Sequence, residues 1–204
     1  MKEMNIFYKV NNGLYVNLTN KCPCSCVFCL RNTMDSIKDS GKLWLDHTPS
    51  WEEIERDFSL QDLSSYDEVV FCGFGEPTEA LDNLLRLASL IKKQKSSIKI
   101  RVNTNGLGSL VNSKNIAPLF EGLVDSVSIS LNTPNKEQYL KIVRPRFGEE
   151  SFEAMLSFAG EVKNYVPLVT LTTVKTVITE EEERQCAEIC KNLGVIHRIR
   201  PFES

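Results

Sequence analysis

Strand-like and helix-like stretches take turns along this chain, and that alternation constrains the fold more than any other feature. Six short β-branched or apolar runs read as strands: Leu14–Thr19, Tyr66–Cys72, Ile98–Thr104, Val124–Leu131, Pro167–Ile178 and Val195–Arg200. Helical patterns lie between them. Ser50-Trp51-Glu52-Glu53 has capping-box spacing. Glu79–Lys93 places Leu81, Leu84, Leu85, Leu87, Leu90 and Ile91 on an apolar helical face. Ser113–Glu121 is a shorter helical stretch interrupted by Pro118. Ser151–Tyr165 carries Phe152, Met155, Leu156 and Phe158, and Glu180–Leu193 stops at Gly194. Repeated β–α units predict a parallel sheet with right-handed crossovers. Two arrangements satisfy this, an open doubly wound sheet and a partial barrel. Both collect ligands at the C-terminal ends of their strands.

A chain of 204 residues suits one domain, taken here as 1–204. No stretch approaches the roughly 18 apolar residues of a membrane span. The N-terminal MKEMNIFYKV lacks the apolar core of a signal peptide, so the expected location is cytoplasmic. The net charge of −3 carries no basic excess that would advertise nucleic acid or membrane. There are seven cysteines, an odd number. In a reducing compartment a cysteine cluster points to metal or catalysis rather than disulfides.

Four of the seven fall in Lys21–Cys29, KCPCSCVFC, directly after the first strand. The second strand ends in FCGFGEPT (Phe71–Thr78), the third in NTNG (Asn103–Gly106), and Ser128 and Ser130 share one face of the fourth. Polar and glycine-rich residues thus gather on one rim, which core packing alone does not require. Cys22, Cys26 and Cys29 have the spacing C-x3-C-x2-C, and a loop this short can wrap three thiolates around one compact cluster. A zinc knuckle needs a second ligand pair. Cys72, Cys186, Cys190, His47 and His197 supply no such pair-and-loop. GFG lacks the spacing and the Lys-Ser/Thr of a phosphate loop.

C-x3-C-x2-C after a first strand, with Phe28 before the last cysteine and GFGEP after the second strand, resembles the radical S-adenosylmethionine (SAM) superfamily. The resemblance implies an α/β single domain, a partial (β/α)6 TIM-like barrel with a parallel sheet. It implies that Cys22, Cys26 and Cys29 bind a 4Fe-4S cluster whose open iron is chelated by SAM. Phe28 would lie near the adenine. Gly73, Phe74, Gly75 and Glu76 would present backbone groups to the methionine ammonium. Asn103 would contact polar groups of SAM, and Ser130 with Arg144 would hold its carboxylate. The implied activity is that of a radical SAM enzyme. An electron from flavodoxin or ferredoxin drives reductive cleavage of SAM to a 5′-deoxyadenosyl radical, which abstracts hydrogen from a substrate the sequence does not name. The short chain fits a partner protein or large substrate at the barrel mouth.

Within the superfamily the NLTN lead, CVFCLR and GFGEPT are most like the small radical SAM proteins associated with TatD-type hydrolases. A deazapurine-forming synthase and a glycyl-radical activase are the alternatives inside the superfamily. Outside it stands a non-catalytic zinc- or cluster-binding module. Two positions depart from the family pattern. Phe74 separates the two glycines, and Cys24 sits inside the first cysteine spacing, where it reads as a bystander. Cys186 and Cys190, four apart on a helix, read as core, and Cys72 as a buried strand residue. Arg146 reads as readily as solvated surface charge as it does as a functional residue. Arg198 and Arg200 alternate on the last strand and share one face, either inward around an anionic substrate or outward in solvent.

Overall fold

The computed structural model describes residues 4–36 and 40–201. Residues 1–3, 37–39 and 202–204 of the expected 1–204 unit lie outside this range. Among the described residues seven strands form one sheet in the order of the chain: β1 (Phe7–Val10), β2 (Gly13–Val16), β3 (Glu68–Phe71), β4 (Lys99–Thr104), β5 (Ser126–Ser130), β6 (Leu168–Val174) and β7 (Ile196–Arg200). From β2 onward every neighbouring pair is parallel. A doubly wound sheet reverses its strand order at a switch point; this one never does. With right-handed crossovers all stepping the same way, the helices fall on one side and the sheet curls into a partial barrel.

The sequence did not predict β1. It forms an antiparallel hairpin with β2, pairing Phe7 with Val16 and Val10 with Gly13, through a turn in which Asn11 adopts φ 52°. The helices are α1 (Trp51–Ser59), α2 (Leu81–Gln94), a single turn α3 (Gly108–Val111), α4 (Lys136–Val143), α5 (Glu150–Val162) and α6 (Glu180–Leu193). The expected helix over Ser113–Glu121 is instead a 3-10 turn at Ala117–Phe120, with Pro118 in its first turn. The helix α4, capped by the Asn135 side chain, was not predicted. Both expected capping features stand: Ser50 and Glu53 form a reciprocal box, and Gly194 caps α6 at φ 69°.

The two faces of the sheet differ in kind. On the helix side Ile100, Val102, Val127, Ile129, Val169 and Leu171 are fully or nearly buried against Leu84, Leu87, Ile91, Met155, Phe158, Cys186 and Cys190. Cys186 and Cys190 are therefore core, as expected. His197 also faces this side, where Thr173 lies 3.2 Å and Glu183 of α6 3.4 Å from its Nε2. His47 is held by Glu53 at 3.0 Å. Since successive residues of a strand alternate faces, Arg198 and Arg200 point the other way, into the concave lumen. Asn103, Ser128, Ser130, Thr170 and Thr172 share that lumen face. No described helix is long and apolar enough to cross a membrane.

Candidate active site

The cysteine loop and the glycine–glutamate loop leave the C-terminal ends of adjacent strands, β2 and β3, and are bolted together by backbone. The Glu76 amide donates to the Lys21 carbonyl at 2.8 Å. A Cβ on Gly75 would sit 2.1 Å from the Thr19 carbonyl oxygen, and one on Gly73 would sit 2.1 Å from Asn17 Oδ1. Only glycine allows so close an approach at either position. This accounts for the Gly-Phe-Gly departure: the two glycines meet the neighbouring chain, while the intervening side chain is free to go elsewhere. Phe74 goes into a hydrophobic cluster with Tyr8 and Leu43, edge-on to Trp44 at 5.3 Å. The Leu43–Leu45 segment is in turn pinned by the two asparagines of NLTN. Asn17 Nδ2 donates to the Leu43 carbonyl at 2.7 Å, and Asn20 bonds both backbone groups of Leu45.

Glu76 is turned inward rather than toward a ligand. Its carboxylate accepts from the Thr78 amide (3.1 Å) and hydroxyl (2.8 Å), the Thr104 hydroxyl (2.7 Å) and the Asn105 amide (2.8 Å). Burial pushes its carboxyl up, and these hydrogen bonds work against that shift. The carboxylate thus ties the end of β4 to the loop after β3. With its carboxylate so engaged, Glu76 turns backbone rather than a charged side chain toward the rim.

Cys22, Cys26 and Cys29 are each partly exposed on this rim, whereas Cys24 is 3% exposed and belongs to the core. Hydrogen bonding from the Cys24 thiol holds Cys22 and Cys26 below the usual thiol value and raises Cys24 itself. Burial pushes the Cys29 thiol up, opposed by Arg31. The loop is fixed from two sides. Segment 142–146 runs alongside it: Ser25 and Val27 amides reach the carbonyls of Val143 (3.1 Å) and Ile142 (2.8 Å), and the Arg146 amide reaches Pro23 (2.8 Å). On the other side Arg31, which the sequence reading noted only within CVFCLR, spans three carbonyls: Cys24 at 3.0 Å, Phe74 at 3.4 Å and Asn20 at 3.5 Å. Among the described residues no three His, Cys, Asp or Glu side chains are arranged around a single-ion site. The donor set nevertheless suits a thiolate-held cluster. Three half-exposed sulfurs share a rigidly anchored loop, a guanidinium lies within electrostatic reach of each, and the fourth thiol is withdrawn into the core.

The other expected contacts divide. Asn103 lies on the lumen face close enough to the inward-facing, half-buried thiol of Cys72 to oppose the upward shift that burial gives it, and its Oδ1 is buried without a partner. Ser130 ends β5 on the same face, opposite Thr172. Phe28 is half-buried beside Cys29. Arg144 is brought to the cysteine loop by its backbone only: it adopts φ 50° to end α4, is exposed, and its Nε donates back to Lys141 at 3.3 Å. Arg146 is exposed and pairs with Glu79 at 3.3 Å. Sequence reasoning passed over Asn105, whose Nδ2 lies 3.9 Å from Cys22 Sγ. The available signal was the second asparagine of NTNG, at a strand end opposite the cysteines.

A family model described as the radical SAM superfamily matches residues 16–190. GTP 3′,8-cyclase of Corynebacterium glutamicum is 29% identical over 144 residues, covering 68% of this chain and 35% of the cyclase. The molybdenum cofactor biosynthesis protein moc-5 of Caenorhabditis elegans is 23% identical over 183 residues, covering 90% of this chain and 28% of moc-5. The chain therefore spans about a third of the length of these curated relatives. The crystal structure of Streptococcus suis SuiB bound to S-adenosylmethionine superposes with a TM-score of 0.69 at 16% identity, over 95% of this chain and 41% of SuiB.

Proposed function

Because this chain belongs to the radical SAM superfamily, whose members are enzymes that bind a 4Fe-4S cluster and SAM, we propose that Cys22, Cys26 and Cys29 hold that cluster and residues 73–76 receive the methionine end of SAM. The observation that carries this assignment is the backbone bolt between the cysteine loop and the glycine–glutamate loop, Glu76 N to Lys21 O at 2.8 Å. It fixes the cluster ligands and the methionine-binding backbone in one frame. When bound, the pair supplies one-electron reductive cleavage of SAM to a 5′-deoxyadenosyl radical, given a reduced flavodoxin or ferredoxin. The chain's own share is placement. Arg31 holds the cysteine loop to Phe74, and Asn105 lies beside Cys22. Asn103 and Ser130 supply polar atoms on the lumen face for the ribose and carboxylate of SAM. Arg144 can join them only by turning its guanidinium away from Lys141.

Residues 1–204 act on this reading as one radical SAM core. We place the chain nearest the small TatD-associated radical SAM proteins, on CVFCLR and GFGEPT. The likeness to GTP 3′,8-cyclase covers a third of that enzyme, and the cyclase substrate is not carried over. Anaerobic reconstitution with iron and sulfide tests the proposal. The expected product is a brown protein with broad visible absorbance that forms 5′-deoxyadenosine from SAM and dithionite. A colourless protein retaining zinc after the same treatment overturns it.

A further inference from the structure

The lumen below the rim is lined by charge that nothing in the cluster or SAM assignment uses. A cavity of about 200 Å³ opens there, bounded by Glu68, Arg101, Ser126, Ser128, Thr170 and Arg198. Three arginines project into the lumen, Arg101 from β4 and Arg198 and Arg200 from β7. Glu68 opposes them, 2.7 Å from Arg101. Burial pushes the Cys72 thiol up; Asn103 and then the field of Arg200, which reaches it from β7, oppose that rise. Lys99, at the foot of β4, is paired with Asp125 and adds nothing to the cavity.

Arg101 is 17% exposed. One of its terminal nitrogens serves Glu68 and the Tyr15 hydroxyl, while its Nε is buried without a partner. A buried donor without an acceptor is costly unless a ligand supplies one. Arg198 is exposed to the lumen and makes no ion pair or hydrogen bond among the described residues. Hydroxyls of Ser126, Ser128 and Thr170 lie between the two arginines. Two guanidinia with a row of hydroxyls between them make an oxyanion receptor.

We infer that this cavity binds the anionic end, carboxylate or phosphate, of a small substrate through Arg101 and Arg198. The inference rests on the radical SAM reading for the word substrate. The cavity is too small for a whole ligand of ordinary size, which needs at least about 300 Å³. It suits an end group. Arg101 lies two residues below Asn103 on β4, a rise of roughly 7 Å. An anion seated here thus projects the rest of its molecule up the lumen toward the cluster rim, where the reacting C–H bond would be. Leu168 and Ile196, 44% and 52% exposed on the same face, offer apolar wall beside it.

Isothermal titration of the reconstituted protein with inorganic phosphate, and separately with malonate, tests the site. Saturable binding of at least one is expected, and the tighter of the two names the end group. Arg198→Gln should weaken it by about tenfold, as loss of one charge-assisted contact does. Glu68→Gln, which frees Arg101 from its competitor, should strengthen it severalfold. Arg198 is exposed and edge-on, so its replacement does not put the fold at risk as Arg101→Gln does. Identical affinities in wild type, Arg198→Gln and Glu68→Gln, or no saturable heat with either anion, overturn the inference. Iron content and 5′-deoxyadenosine formation are read on the same wild-type preparation. An assembled, SAM-cleaving cluster without anion binding removes the lumen site alone. Anion binding in a protein that assembles no cluster removes the substrate assignment together with the reading beneath it.

Discussion

Two groups of cysteines occupy this chain, and they share a residue type and little else. Cys22, Cys26 and Cys29 sit half-exposed on a loop held by backbone on both sides, with a guanidinium in reach. Cys186 and Cys190 lie on one face of α6, 0% and 1% exposed, packed into the helix-side core. A hydrogen bond with Cys24, helped weakly by the field of Arg31, lowers Cys22 and Cys26; burial pushes Cys186 and Cys190 up to about 12. Spacing alone does not separate a ligand from a core residue, since four apart on a helix is also a workable ligand spacing. What separates them is whether the local chain can reach solvent and cofactor without breaking a packed layer.

The largest test of that contrast removes one cysteine from each group. Cys26→Ala should lose the cluster outright, read as iron content and visible absorbance after reconstitution. Cys186→Ala and Cys190→Ala should keep wild-type iron and show only a lower unfolding midpoint. Loss of iron in either helix variant breaks the division. A smaller effect is expected from Glu76→Ala, which strands the Thr78 and Asn105 amides and the Thr104 hydroxyl. Urea unfolding should show a loss of about 3 kcal/mol. A loss below about 0.5 kcal/mol would mean that the carboxylate is not the tie between β3 and β4.

The helix cysteines also make a pH prediction. Their folded-state values stand above the unfolded thiol value of about 8.5. The folded state therefore binds more protons between about 8.5 and about 12, and stability falls as pH rises through that window. Each thiol contributes a slope of up to about 1.4 kcal/mol per pH unit. In Cys186→Ala the slope should be reduced by one such share. An unchanged slope would show that these thiols ionise in the folded protein as freely as in the unfolded one.

The parts of this molecule that were legible in the sequence are those where the pattern is local. The parallel strands and their order of appearance, the capping box at Ser50 and the stop at Gly194 are all local signals. The choice between an open sheet and a barrel was not local, because it depends on which strand lies next to which. The hairpin strand β1 is hard to see in the sequence although Asn11-Asn12-Gly13 is turn chemistry, because Phe7–Val10 is only four residues long and carries Lys9. The missed α4 had its own cap in Asn135 and was hidden between a strand and the Pro145 turn. At the site, the cysteine spacing and the glycine loop were readable. Their joining through Arg31 and the Glu76 backbone was not, since those contacts link residues up to 55 positions apart. The facing of Arg198 and Arg200 waited on the register of β7, which His197 settles by packing against α6.

The finest cut between the two groups runs through Cys24, which sits in the loop but has the burial of the helix pair. Its carbonyl is gripped by Arg31 at 3.0 Å, and its backbone bridges Pro145. Neither contact involves the thiol. The side chain fills core space and offers its single S–H to Cys22 or Cys26 while those are protein thiols. Cluster ligation would engage both of those sulfurs and end that donation. Cys24→Ala should therefore keep full iron occupancy and cost about 1 kcal/mol of stability, the usual scale for a small buried side chain losing its contacts. Iron is counted per chain after gel filtration, with the visible spectrum as a second reading. If Cys24→Ala loses iron while Cys22→Ala keeps it, position in the loop outranks burial, and the ligand set shifts by one cysteine.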